Sequence, residues 1–242
     1  MARKNKPAGA APDPGAVGGF RGFGSQALPF LAALAERNER EWFNLNKATY
    51  LDECDAPMRE LVQAIGLGLA ARNIALAPMA RNPVFRIYRD VRFARDKSPY
   101  KTHLGAALHP EGDKSRPGLL YLHIEPGKSF VAAGFYQPEP PLLRAYRTAV
   151  AADPAGFERL VLELVTHGLA LDDGEPLARM PKGFEAHADS PVAAALRKRS
   201  WTTSRPIPDE DLERHDLPDV AIDFAAAALP LLDYFRGRTE AG

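Results

Sequence analysis

The sequence predicts an α+β fold, an antiparallel sheet meander flanked by N-terminal and C-terminal helices. Three observations predict it. Apolar residues recur at helical spacing between residues 25 and 73 and again between 141 and 235, while the middle of the chain is rich in alternating β-branched and aromatic side chains. The connections between those middle runs are short, as consecutive antiparallel strands require. Helices gathered before and after the strands, not interleaved with them, give segregated layers. The 22 prolines and 19 glycines among 242 residues punctuate the chain often, so the elements should be short.

Residues 1–19 are rich in Ala, Gly and Pro and read as a disordered tail, with order beginning near Phe20. Ser25 is the expected N-cap of a first helix that runs to Glu36 and presents Leu28, Leu31 and Leu34. Asn38 breaks it, and a second helix over 41–54 anchors on Trp42, Phe43, Tyr50 and Leu51. Pro57 opens a third, with Met58, Leu61, Val62 and Ile65 on its apolar side, and Asn73 ends it. Strands are expected at 85–93, 102–109, 119–125 and 128–136, with turns at 111–118 and 126–127. In the third, Leu120, Leu122 and Ile124 share one face and Leu119, Tyr121, His123 and Glu125 the other. Helices return at 141–151, behind the Asp153-Pro154 cap, and behind Ser190-Pro191. Residues 201–212 read as an extended segment leading into a short helix, and a last helix covers 219–235 before a tail at 237–242.

The stretch 85–101, FRIYRDVRFARDKSPYK, concentrates Arg86, Arg89, Arg92, Arg95, Lys97 and Lys101 against only Asp90 and Asp96. As a strand it would carry Phe85, Ile87, Arg89, Val91 and Phe93 on one face and Arg86, Tyr88, Asp90 and Arg92 on the other. Guanidinium forks suit carboxylate or phosphate, and a neighbouring tyrosine can donate a hydrogen bond or stack. That pattern points to an anion site. The structural alternative is a salt-bridge network in which the two aspartates satisfy their arginine neighbours.

Formal net charge is zero, so attraction to nucleic acid or an acidic membrane would have to come from a local patch. The patch combines arginines with aromatics, as single-stranded nucleic acid requires, but the neutral whole and the scarcity of lysines weigh against that partner. The N-terminus has no apolar signal core, and the run 224–232 is too short to span a bilayer, so a cytoplasmic protein with no membrane partner is expected. The one cysteine, Cys54, excludes a disulfide framework, and its acidic neighbours disfavour a thiolate nucleophile. His103 and His109 lie about 20 Å apart on one strand and cannot share an ion. The clearest metal candidate is His123 with one of them and a carboxylate such as Glu125, but an isolated strand histidine is more often a polar surface group, so no metal or cofactor is assigned. No dinucleotide, phosphate-loop, nucleophile-elbow or HExxH motif occurs.

Four stretches resemble the family catalogued as domain of unknown function 2461 (DUF2461). They are NEREWFNLNKATY (38–50), FRIYRDVRFARDKSPYKTH (85–103), YLHIEPGKSFVAAGFYQPEPPLLRAYR (121–147), and MPKGF with KRSWTTSRPIPD (180–184, 198–209). Ala94 stands where a serine is common in that family, and Ala132-Ala133 where glycines are common. The resemblance implies a single domain over 20–236. It makes Arg86, Tyr88, Arg89, Asp90, Arg92, Asp96, Lys97, Tyr100 and Lys101 the family signature, with PKGF and SRP as its companions. It brings no established activity. The leading expectation is a module binding a small anionic ligand through Arg86, Tyr88, Arg89, Arg92, Lys97, Tyr100 and Lys101, joined by Lys182 and Arg205. One alternative is a hydrolase acting on a phosphoester through Asp90, Asp96, His123 or Glu125. The other is a structural or interaction protein. The sequence does not fix the oligomeric state.

Overall fold

The computed structural model describes residues 19–76, 82–113 and 116–239. The expected N-terminal tail therefore lies outside the described residues except for Gly19, as do residues 240–242 of the expected C-terminal tail. Four strands, β1 (Leu104–Leu108), β2 (Leu119–Ile124), β3 (Phe130–Phe135) and β4 (Trp201–Pro206), form one antiparallel sheet in the order β1-β2-β3-β4. The first three are a meander. The β2–β3 register sets Tyr121 opposite Ala132 and His123 opposite Phe130. β4 pairs along the free edge of β3, with Ser204 opposite Ala132 and Trp201 opposite Phe135.

Strand parity sorts side chains onto two faces. Leu120, Leu122, Ile124, Val131, Ala133, Phe135, Trp201 and Thr203 are buried, and this face packs on the helices. Two helices form most of that layer, α4 (Ala56–Ala71) and the long C-terminal α8 (Leu217–Thr239). Each large apolar side chain withdrawn from water there contributes roughly 1.5–3 kcal/mol. α5 (Pro140–Ala152) and α6 (Pro154–Thr166) flank α8, and Asp153 caps α6 by accepting a hydrogen bond from the Gly156 N–H at 2.8 Å. α1 (Ala27–Glu36), α2 (Arg40–Leu45) and α3 (Lys47–Thr49) precede a π-helical turn, Tyr50–Asp55, that runs directly into α4. α7 (Ala193–Arg197) leads into β4.

Several expectations are corrected. Gln26, not Ser25, holds the cap position of α1, and Val192, not Ser190, that of α7. Leu51 is half-exposed and anchors nothing, whereas Phe43 and Tyr50 are buried as expected. No helix among the described residues is long and apolar enough to cross a membrane.

The largest correction concerns 85–93, which is not a strand of the sheet. It is the outer arm of an irregular ribbon, tied to 99–107 by two isolated bridges, Val84–Ala106 and Tyr88–Tyr100. Backbone bonds from Phe85 to Gly105 (2.8 Å), Lys101 to Ile87 (2.8 Å) and Arg89 to Pro99 (2.9 Å) hold the two arms together. Past Arg89 the pairing stops because side chains claim the backbone. Asp90 accepts from the Arg92 N–H at 3.3 Å and Asp96 from the Ser98 N–H at 2.9 Å, local bonds that compete with a ladder. Phe93, expected on the apolar face, is 95% exposed at the tip.

Candidate functional site

Among the described residues, the helices α4 and α8 pack on the first face of the sheet, and the second is bordered by the start of α5 at Leu142. That second face floors a cleft of about 1030 Å³. Small side chains make the room: Ala107 on β1, Ala132 on β3, and Thr202 and Ser204 on β4 line it where larger residues would fill it. Gly105 contributes differently. A Cβ there would stand 2.9 Å from the Tyr121 hydroxyl oxygen, so the missing side chain lets the phenol lie across β1. Rings of Phe85, His103, Tyr121, His123, Phe130 and Tyr136 supply the aromatic part of the lining.

Two walls carry charge. The loop 172–175 lies alongside β4, to which it is stitched by an Asp172 N–H to Thr202 carbonyl bond at 2.8 Å and a Ser204 hydroxyl to Asp172 carboxylate bond at 2.8 Å. Lys198 donates to the carbonyls of Asp172 (2.5 Å) and Asp173 (3.2 Å). Buried Arg147 on α5 donates to the Lys198 carbonyl at 2.9 Å and so fixes the corner bearing Lys198 and Arg199. At the other edge, Lys101 lies over the Phe85 ring, 5.1 Å from its centre, and lines the cleft beside His103.

The polar centre is on β2 and its flanks. His123 lies between two partners of the same strand face: its Nδ1 is 3.3 Å from the Tyr121 hydroxyl and its Nε2 2.9 Å from Glu125 Oε2. Its ring stacks on His103 (4.4 Å between centres) and on Phe130 (4.8 Å). Burial, with His123 and Lys101 close by, pushes the His103 pKa down to about 4, so this imidazole is neutral near pH 7. Burial alone would raise Glu125. The His123 hydrogen bond and the Lys128 ammonium 3.6 Å away outweigh it and hold the carboxyl below its ordinary value.

The residues singled out from sequence fall in three places. Lys101, His123 and Phe85 line the cleft, and Glu125 bonds to one of them. Arg86, Tyr88, Arg89, Asp90, Arg92, Asp96 and Lys97 lie on the ribbon, outside the cleft lining. Arg92 pairs with Asp90 at 2.7 Å and Arg89 pairs with Asp96, while Lys97 donates to the Val91 carbonyl at 3.0 Å. The Ser98 hydroxyl and N–H, with Arg89, hold Asp96 well below the carboxylate range, and hydrogen bonds from Arg92 lower Asp90, so neither stores a proton near neutral pH. Tyr100 is 3% exposed and stacks on Phe43 at 4.1 Å, which makes it a core anchor. Arg205 lies over Phe224 of α8, 5.6 Å from the ring centre, on the helix side of the sheet. Lys182 is exposed and outside the cleft lining.

A family model described as "Conserved hypothetical protein (DUF2461)" matches residues 26–234. The chain belongs to the DUF2461 family. No curated protein and no solved structure matches it. The DUF2461 signature at 85–101 thus builds a paired ribbon whose second arm runs through Lys101 and His103 to the edge of the cleft. Sequence reasoning missed the opposite wall, Asp172, Asp173, Lys198 and Arg199. Its only signal was the basic run ahead of WTTS, which also suits the end of a helix.

Proposed function

We propose that this DUF2461 chain binds a small molecule bearing a carboxylate or phosphate in the cleft on the face of its sheet opposite α4 and α8. The observation that carries the proposal is the floor of small residues beneath about 1030 Å³ of space, ringed by aromatic and charged side chains. A concave, mostly apolar pocket with a few convergent polar groups is the usual form of a small-molecule site. Lys101 and the neutral His103 sit at one edge, where an anionic group would find an ammonium and imidazole donors. The acids Asp172, Asp173 and Glu175 at the other wall suit hydroxyl or amine groups of the same ligand. The signature arginines serve this reading indirectly, by holding the ribbon that delivers Lys101 and His103.

The test is a thermal-shift screen of dicarboxylates, sugar phosphates and nucleotides against the wild type and Ala132→Leu. Ligand at about 100 times its Kd stabilises by about 2.7 kcal/mol, a rise of roughly 5–10 °C for a domain of this size. Ala132→Leu fills the floor opposite Tyr121 and is expected to abolish the shift while melting cooperatively. A shift that persists unchanged in Ala132→Leu, or no shift with any anion, refutes the cleft as the binding site.

A further inference from the structure

The His103–His123–Glu125 cluster has a chemistry that anion binding does not use. One ligand atom from each of the three residues can be chosen so that all lie within 4.8 Å of one another. We propose that His103, His123 and Glu125 bind one divalent transition-metal cation, with its remaining coordination positions facing the cleft. This goes beyond the cleft reading and stands or falls separately from it.

Two imidazoles and one carboxylate are a donor set that holds zinc or ferrous iron while leaving positions for water or substrate. Bonds of about 2.1 Å at a tetrahedral angle place ligand atoms roughly 3.4 Å apart, so atoms as much as 4.8 Å apart must close by up to roughly 1.4 Å while His123 Nε2 and Glu125 Oε2, 2.9 Å apart, open slightly. The neighbours are arranged for that. Glu125 is held at its backbone by Ser129, whose hydroxyl accepts from its N–H at 3.1 Å and donates to its carbonyl at 3.0 Å. Lys128 takes Oε1 at 3.6 Å and leaves Oε2 directed at the His123 imidazole. With Nε2 toward the metal, the Nδ1–H of His123 donates to the Tyr121 hydroxyl at 3.3 Å, the outer bond that fixes the tautomer and plane of a ligating histidine. The set offers one carboxylate against two imidazoles, and the Lys128 ammonium already stands beside that carboxylate. That balance disfavours calcium and magnesium, which need several oxygen ligands, and leaves cations that prefer imidazole.

The test is a titration of chelator-stripped full-length protein, with Zn²⁺ followed by calorimetry and Co²⁺ by its visible d–d bands. One equivalent should bind. His103→Gln and Glu125→Gln should each remove that phase, and Tyr121→Phe should weaken it roughly 10-fold. His167→Gln, on an exposed helix end, should leave it unchanged. His123 packs between two rings and its replacement risks the fold, so the other two ligands carry the test, with melting curves confirming that each variant is native. Absence of a one-equivalent phase, or its survival in both His103→Gln and Glu125→Gln, overturns the metal site. Metal binding without any anion response sinks the cleft reading alone, and an anion response in chelator without metal binding sinks this inference alone.

Discussion

Cys54 shows what a single residue's surroundings decide. It is fully buried, with its Sγ 3.9 Å from the Ala27 carbonyl oxygen. Burial first, then Glu53 and Asp55, push its thiol from 9.0 up to about 12. The native protein should therefore resist iodoacetamide at pH 8 and react fully once unfolded in urea. The unfolded thiol ionises near its ordinary value while the folded one stays protonated. Between about pH 9 and 12 the unfolded state thus binds fewer protons, and stability falls as pH rises through that window by up to a few kcal/mol. Cys54→Ala should flatten the slope of urea-melt stability against pH there. Asn38 gives a second case. Its side chain accepts from the Tyr100 N–H at 2.9 Å and donates to the Tyr100 carbonyl at 3.0 Å, a two-bond clamp between the N-terminal helices and the signature ribbon. Asn38→Ala should cost roughly 1–3 kcal/mol in a urea melt, since it strands both backbone groups. The sequence marked Asn38 only as a helix breaker, because its partner is far along the chain.

Among the elements, the ribbon and β4 carry the lessons. Alternation correctly placed Ile87 inward and Arg86, Tyr88, Asp90 and Arg92 outward. It failed at Phe93, where the turns made by the Asp90 and Asp96 side chains end the pairing. The two aspartates were legible as ion-pair partners but not as competitors for backbone N–H groups. β4 joins β3 through a close approach at Gly134, which has φ 129° and would place a Cβ 2.3 Å from the Trp201 carbonyl oxygen. Gly134→Ala should cost at least about 2–3 kcal/mol from strain and from the displaced strand, read as a lower urea midpoint. Gly118, whose carbonyl accepts from Arg236 of α8 at 2.8 Å, ties the same end of the sheet to the helix layer.

For the molecule as a whole, the layer order and three strands of the sheet were legible, because helical spacing and strand alternation are local signals. Tyr121, His123 and Glu125 could be placed on one face of β2 from parity alone. That this face lies away from α4 and α8, and that His103 returns to stack on His123, depends on register and on which strands become neighbours. Neither can be read from spacing within one segment. The far wall of the cleft depends on β4, which comes from beyond α5, α6 and α7.

That long excursion bears on how the molecule is made. On the ribosome, β1 to β3 emerge well before Trp201–Pro206, so a nascent chain carries β3 with an unclaimed edge of amide and carbonyl groups. Such an edge recruits other strands. A fragment ending at residue 190 should therefore scatter light and pellet where the full chain stays clear, and a peptide spanning 198–209 should suppress that clumping by taking the vacant lane.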